Sequence, residues 1–328
     1  MYRMNAAKAL LPLAASLLLS GLLVGTAATA ADAPKVVVSI KPIHSLVAAV
    51  MQGVGTPDLI VDGAASPHTY AMKPSNARSL QQAQVVFWVG PGMEVFLQKP
   101  LGSLSSNATV VELDQAPGIA KLKFREGGAF EPHDDGDEPA AGENHAHDHD
   151  DHDHGEFDTH LWLDPHNAKA MVAEITTSLV AADPANALTY EANQKALNEK
   201  LDALDTEIAS TLAAVKDKPF IVFHDAYQYF EHRYGVRVAG SITVSPETIP
   251  GAQRVAEIHS KVTDLGATCV FAEPQFEPKL VKVVLEGTSA KSGVLDPEAA
   301  TLPQGPDLYF DLMRGIANSL KNCLSAQG

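Results

Sequence analysis

Eight short apolar runs rich in β-branched residues constrain this chain more than any other feature. Four lie in the first third: "KVVVSI" from Lys35, "DLIV" from Asp58, "AQVVFWVG" from Ala83 and "ATVVELD" from Ala108. Four more follow residue 217: "KPFIVFHD", "YGVRVAGS", "ATCVFAEP" and "SGVLDP". Segments of helical spacing, such as "HSLVAAVMQGVG" after the first run, fall between the first three runs. Strand alternating with helix implies a mostly parallel sheet covered by helices on both faces. The expected fold class is α/β, with a four-stranded sheet in each of two lobes.

The stretch between the two sets decides how they are connected. From Asp183 to Lys218 no Gly interrupts the chain, and no Pro follows Pro184 until Pro219. Asp183 suits a helix N-cap and Pro184 a first turn. Leu188, Ala192, Leu197, Leu201, Leu204, Ile208 and Leu212 recur at about helical spacing. A helix of about thirty residues would be about 45 Å long, more than one small lobe needs. The expected organisation is an N-terminal lobe over 31–182, a linker helix over 183–218 and a C-terminal lobe over 219–328.

Residues 1–30 stand outside this plan. Arg3 and Lys8 precede an apolar run from about Ala9 to Val24, which ends in small residues at Ala28-Thr29-Ala30. That is the pattern of a secretory signal peptide, with cleavage expected near Ala30. The mature chain is therefore expected outside the cytoplasm. The two cysteines, Cys269 and Cys323, read as a disulfide in an exported protein, with two reduced thiols as the alternative.

The acidity of the chain is local. From Glu131 to Asp158 there are twelve acids and no Lys or Arg, leaving only −4 of the formal −16 for the rest. This argues against nucleic acid as a partner and points to cations. Within that tract, "ENHAHDHDDHDHGEF" holds five histidines: His145, His147, His149, His152 and His154. The spacing His147-x-His149-x-Asp151-His152 matches a metallo-hydrolase motif, but here it follows from composition. Residues 131–156 are expected to be a disordered loop that gathers metal weakly at several positions.

The other histidines are sorted by context. His68 lies just beyond "DLIV", His160 begins "HLWLDP", and His224 directly follows "PFIVF". Ligands of open α/β sheets bind beyond the carboxyl ends of the strands. His68 and His224 fit that rule, and so does Asp296 after "SGVL". Three imidazoles and a carboxylate are a donor set that tetrahedral zinc accepts. His44, His166, His232 and His259 are read as structural.

The segments "SIKPIHSL", "DGAASPHTYAMKPS", "VVFWVGPGME", "HLWLDP", "VFHDAYQYFE", "PGAQR", "CVFAEPQF" and "LDP", in that order, resemble the periplasmic zinc-binding receptors of bacterial ABC importers. The resemblance runs from about Val36 to Cys323. It implies two α/β lobes joined by one long helix, with the metal in the cleft between them. It puts the metal histidines at His68, His160 and His224, and its disulfide at Cys269 and Cys323. Manganese-binding relatives tend to carry a carboxylate at the position of His224, so the imidazole there favours zinc. Some members place a glutamate just before the first histidine; this chain has Pro67. Asp296 is then the expected fourth ligand, Glu273 the second candidate, and a bound water or chloride the alternative.

The function expected from all this is capture of Zn²⁺ in the periplasm by a monomer and delivery to the membrane permease of an ABC importer, without catalysis. A manganese or general divalent-metal receptor, or a metal-binding adhesin, is the alternative. A secreted zinc hydrolase is a further one, though the chain has no HExxH motif and no nucleophile elbow.

Overall fold

The computed structural model describes residue 1 and residues 33–125, 130, 157–243, 250–264, 266, 269–276 and 279–325. The leader and the acidic histidine-rich tract, including His133, His145, His147, His149, His152 and His154, lie outside the described residues. Among those described, no helix is long and apolar enough to cross a membrane.

All eight apolar runs form strands. In the first half they are β1 (Val36–Val38), β2 (Asp58–Leu59), β3 (Val85–Trp88) and β4 (Thr109–Glu112), in the order β2-β1-β3-β4. In the second they are β5 (Pro219–His224), β6 (Arg237–Thr243), β7 (Cys269–Ala272) and β8 (Lys291–Val294), in the order β6-β5-β7-β8. Every pairing in both sheets is parallel. The helices are α1 (Lys41–Val50), α2 (Pro74–Gln82), α3 (Gln98–Leu104), α4 (Pro165–Ala182), α5 (Ala187–Leu212), α6 (Gln228–Tyr234), α7 (Ala252–Asp264), α8 (Lys279–Leu285) and α9 (Leu308–Ser325).

The central strands of the second sheet, β5 and β7, are buried on both faces, and their side chains divide by the two-residue period of a strand. Phe220, Val222, Cys269 and Phe271 face the large core shared with the first half. Ile221, Phe223, Val270 and Ala272 face a smaller core closed by Ile258, Val262, Val281 and Val284 of α7 and α8. The large core is continuous from β1 and β3 through α1, α4 and α5 to α9. Ala33–Gly328 accordingly form one compact unit.

The linker helix starts later than the sequence suggests. Pro184–Asn186 form a 3-10 turn, and α5 runs over 26 residues, about 39 Å. Asp183 does not cap a backbone amide with its side chain. Its Oδ2 accepts instead from Asn186 Nδ2 at 2.7 Å and Tyr190 Oη at 2.9 Å. Tyr190, rather than Leu188, therefore begins the buried stripe, which continues through Leu197, Leu201, Leu204, Ile208 and Leu212. Leu188 is 83% exposed. That stripe packs α5 against α1, α4 and α9.

Cys269 and Cys323 are disulfide-bonded, fastening β7 to α9 with a Cα–Cα distance of 6.2 Å. Both partners stand on the core side of the second sheet, far from the strand ends that carry the site. Replacing both by Ala should lower the unfolding free energy by about 2–4 kcal/mol and leave metal affinity unchanged. Chemical denaturation and a metal titration of the double variant check the two halves of that expectation.

Candidate metal centre

His224 is the last residue of β5 and is buried at the carboxyl end of the second sheet. His160 precedes a 3-10 turn, Leu161–Leu163, that leads into α4. His68 lies in a 3-10 turn, Pro67–Thr69, after β2, where Pro67 pre-sets the first φ. These three segments, far apart in sequence, converge. One ligand nitrogen from each histidine lies within 4.8 Å of the other two. The ring centroids are 5.5 Å apart for His68 and His160, 6.0 Å for His68 and His224, and 5.2 Å for His160 and His224.

Two of the rings are held from behind by carboxylates. Asp158 Oδ1 lies 2.8 Å from His160 Nδ1 and also accepts the His160 backbone amide at 3.0 Å. The Glu273 oxygens lie 2.7 and 2.8 Å from His224 Nδ1. An ionised carboxylate only accepts, so the proton of each neutral imidazole sits on Nδ1 and each Nε2 turns a lone pair inward. The two Nε2 atoms face each other at 3.3 Å. Two lone pairs at that distance repel unless a proton or a metal cation lies between them. Two zinc–nitrogen bonds of about 2.0–2.1 Å opening at a tetrahedral angle separate their nitrogens by about 3.3 Å. The donor set and its spacing fit zinc.

The electrostatics favour neutral rings at two positions. His160 is held well below the ordinary imidazole pKa by burial and by the neighbouring His224. His68 is partly exposed, but its Nε2 is buried, and desolvation with the two other rings pushes it down in the same way. At His224 burial also opposes charge, yet the Glu273 carboxylate outweighs it and holds the ring above its ordinary value. Burial raises the Asp158 carboxyl to about 7, against the pull of the His160 amide. A divalent cation on His160 Nε2 would draw that carboxyl back toward its ionised form.

Asp296 is placed differently. Its Oδ1 accepts from Gln275 Nε2 at 3.1 Å and the Ala300 amide at 3.0 Å, and its Oδ2 from the Thr301 amide at 3.4 Å. It closes its own turn, and among the described residues the group with metal-ligand spacing is His68, His160 and His224. Coordination by Asp296 would require those bonds to be given up. Glu273 meets Nδ1 of His224 and so orients that ring rather than joining the imidazole cluster. The remaining described histidines stand apart: His44 Nε2 meets Pro57 O at 3.0 Å and His259 Nε2 meets Glu286 O at 2.7 Å, while His166 and His232 are exposed on helices. Asp158 is the residue that sequence reasoning missed. Its signal, a carboxylate two positions before His160, was hidden at the edge of the acidic tract.

Two four-stranded parallel sheets flanked by helices, with three imidazoles brought together, are the arrangement of a metal-binding protein of the solute-receptor class. The family model of the periplasmic component A of zinc-uptake complexes, ZnuA, matches residues 36–323. The chain belongs to that family, whose members are periplasmic solute-binding receptors for zinc uptake and not enzymes. The high-affinity zinc uptake system protein ZnuA of Brucella suis is 57% identical over 305 residues, which cover 88% of this chain and 91% of the relative. The protein of the same name from Yersinia pestis is 37% identical over 295 residues, with the same coverage. A crystal structure of ZnuA superposes with a TM-score of 0.72 at 25% identity, covering 89% of this chain and 99% of that one. The periplasmic zinc-binding protein TroA of Treponema pallidum shares the fold, with a TM-score of 0.74 at 19% identity and coverages of 89% and 99%.

Two predictions follow from the rings' environment. Replacing Glu273 by Gln removes the charge behind His224 and should weaken zinc binding by about tenfold or more, measured in a competition titration with a chelator. The second concerns pH. Only a neutral imidazole binds metal. His68 and His160 are already neutral, so protons compete mainly at His224, whose pKa is raised. Zinc affinity should be fully present above that raised value and fall below it, beginning above the ordinary pKa of about 6.5. Calorimetry in buffers of different ionisation enthalpy should find about one to two protons released per zinc there, from His224 and from the Asp158 carboxyl; release of three or more would contradict this picture.

Proposed function

We propose that this protein captures Zn²⁺ between its two lobes, using His68, His160 and His224, and delivers it to the membrane permease of an ABC importer. On this reading the leader is removed near Ala30 and the mature chain works in the periplasm as a monomer. The observation that carries the reading is the pair of inward-facing Nε2 atoms at 3.3 Å, each with its Nδ1 tied to a buried carboxylate. The names of the relatives support zinc as cargo. Asp158, Glu273 and Asp296 are engaged elsewhere and Pro67 has no donor atom, so water or chloride completes the coordination.

A manganese receptor is the alternative, and adhesins share the fold. Those neighbours, a manganese-bound metal-binding protein and laminin-binding proteins, are 20–22% identical and share the fold alone. An all-imidazole donor set suits zinc better than manganese, which prefers oxygen. The acidic tract is proposed to hold zinc weakly through His145, His147, His149, His152 and His154. A ZnuA deletion mutant has been crystallised with zinc bound.

A zinc titration of the full chain, with manganese as competitor, tests the reading. Wild-type protein should show one tight zinc site that manganese does not displace at equal concentration. His224→Ala should lose at least about tenfold in affinity, roughly 1.4 kcal/mol or more, with the fold intact. Deleting residues 131–156 should remove the weak, multiple binding and leave the tight site. Loss of the tight site with that deletion, or its persistence in His224→Ala, would sink the assignment.

A further inference from the structure

Two short segments flank the histidine-rich insertion: residues 121–125 before it and 157–160 after it. They lie side by side. Lys123 and Phe157 form an antiparallel bridge, and the Asp158 amide donates to Leu122 O at 2.9 Å. Together they make a strap that carries His160 at one end.

The strap is tied to the second lobe at two points. Tyr229, buried in α6, binds both segments at once: the Leu122 amide donates to its hydroxyl at 3.0 Å, and that hydroxyl donates to Asp158 O at 2.7 Å. Arg125 is the other tie. Its Nε donates to Asp225 Oδ2 at 3.0 Å, its Nη2 pairs with Asp225 Oδ1, and its Nη1 donates to Glu231 Oε2 at 2.7 Å. Its guanidinium also stacks over the Phe130 ring, 3.9 Å from the centroid. Asp225 is buried and directly follows His224. Asp158, whose carbonyl Tyr229 holds, is the residue that orients His160.

Each tie therefore joins the neighbour of one ligand histidine to the segment carrying another. We propose that Tyr229 and Arg125 are positioning residues of the metal centre: by clamping the strap onto the second lobe they set the separation of His160 and His224. This rests on the reading of His68, His160 and His224 as the zinc site. Neither residue is placed to touch the metal. Loosening either tie lets His160 move away from His224, so bound zinc should leave faster while entering at much the same rate.

The test uses the full chain with Tyr229→Phe, Arg125→Ala, Arg125→Lys and, for reference, His224→Ala. Zinc dissociation is followed by stopped flow with a chromophoric chelator. Co²⁺ serves as a spectroscopic probe, since its d–d bands report coordination geometry. Tyr229→Phe keeps the ring and loses only the hydroxyl; it should release zinc about tenfold faster and alter the Co²⁺ bands. Arg125→Ala should do the same, and Arg125→Lys should not restore the wild-type rate, because an ammonium cannot reproduce the forked contacts. If Tyr229→Phe fails to fold, the two Arg125 variants decide. Dissociation rates and Co²⁺ bands unchanged in the folded variants, even with a lowered melting temperature, would overturn the clamp while loss of binding in His224→Ala upholds the site. Tight binding retained by His224→Ala would overturn both.

Discussion

Two buried carboxylates determine which nitrogen of His160 and of His224 faces the centre, and the chemistry there follows from that choice. Asp158 and Glu273 accept from Nδ1, so His160 and His224 can offer only Nε2 inward. A neutral imidazole that could rotate or exchange tautomers would satisfy itself by donating to its neighbour. Here that escape is closed, because both Nδ1 protons are engaged and both rings are almost wholly buried. One cation between the facing nitrogens removes the repulsion of their lone pairs: a proton on His224, which the Glu273 carboxylate favours, or a divalent metal that displaces it.

The fold supplies the rigidity this requires. The first and second halves share one continuous core, and polar ties cross between them. Lys41, at the start of α1, places its buried ammonium against the carbonyls of Ala299, Ala300 and Leu302 at 3.0, 2.8 and 3.1 Å. Its three donors are thereby satisfied. Trp162, two residues after His160, donates its indole N–H to Pro297 O at 2.9 Å, and Tyr309 of α9 donates to Trp162 O at 2.7 Å. The motifs "HLWLDP" and "VLDP" are thus joined across the molecule. The turn that Asp296 closes is the one that receives both Lys41 and Trp162.

Much of this was legible in the sequence, and the exceptions have physical causes. The central strands were readable because a parallel strand buried on both faces must be apolar throughout, as in Val85–Trp88 and Phe220–Phe223. His224 was readable from the strand it terminates. The onset of the linker helix was not, because Asp183 is an equally good partner for a side chain, and Tyr190 takes it. Asp296 was placed correctly at a strand end, but a carboxylate there can serve backbone amides as readily as a metal. Composition cannot separate the two. Asp158 escaped notice because one structural acid beside eleven others carries no distinguishing pattern.

The same reasoning accounts for a centre lined by histidines, with the carboxylates standing behind the rings. A carboxylate among these buried rings would have to be desolvated as an ion whenever no cation is bound, at a cost of several kcal/mol. Its usual response is to take up a proton, as burial already urges on Asp158. A neutral imidazole, as at His68 and His160, loses far less on burial, and a proton on His224 is balanced by the Glu273 carboxylate, so the centre can stay assembled in a low-dielectric site. Setting the carboxylates behind the rings lets their charge act through the Nδ1 proton, raising the basicity of Nε2. The negative charge that a divalent cation needs is therefore present in the centre, one hydrogen bond removed from the metal.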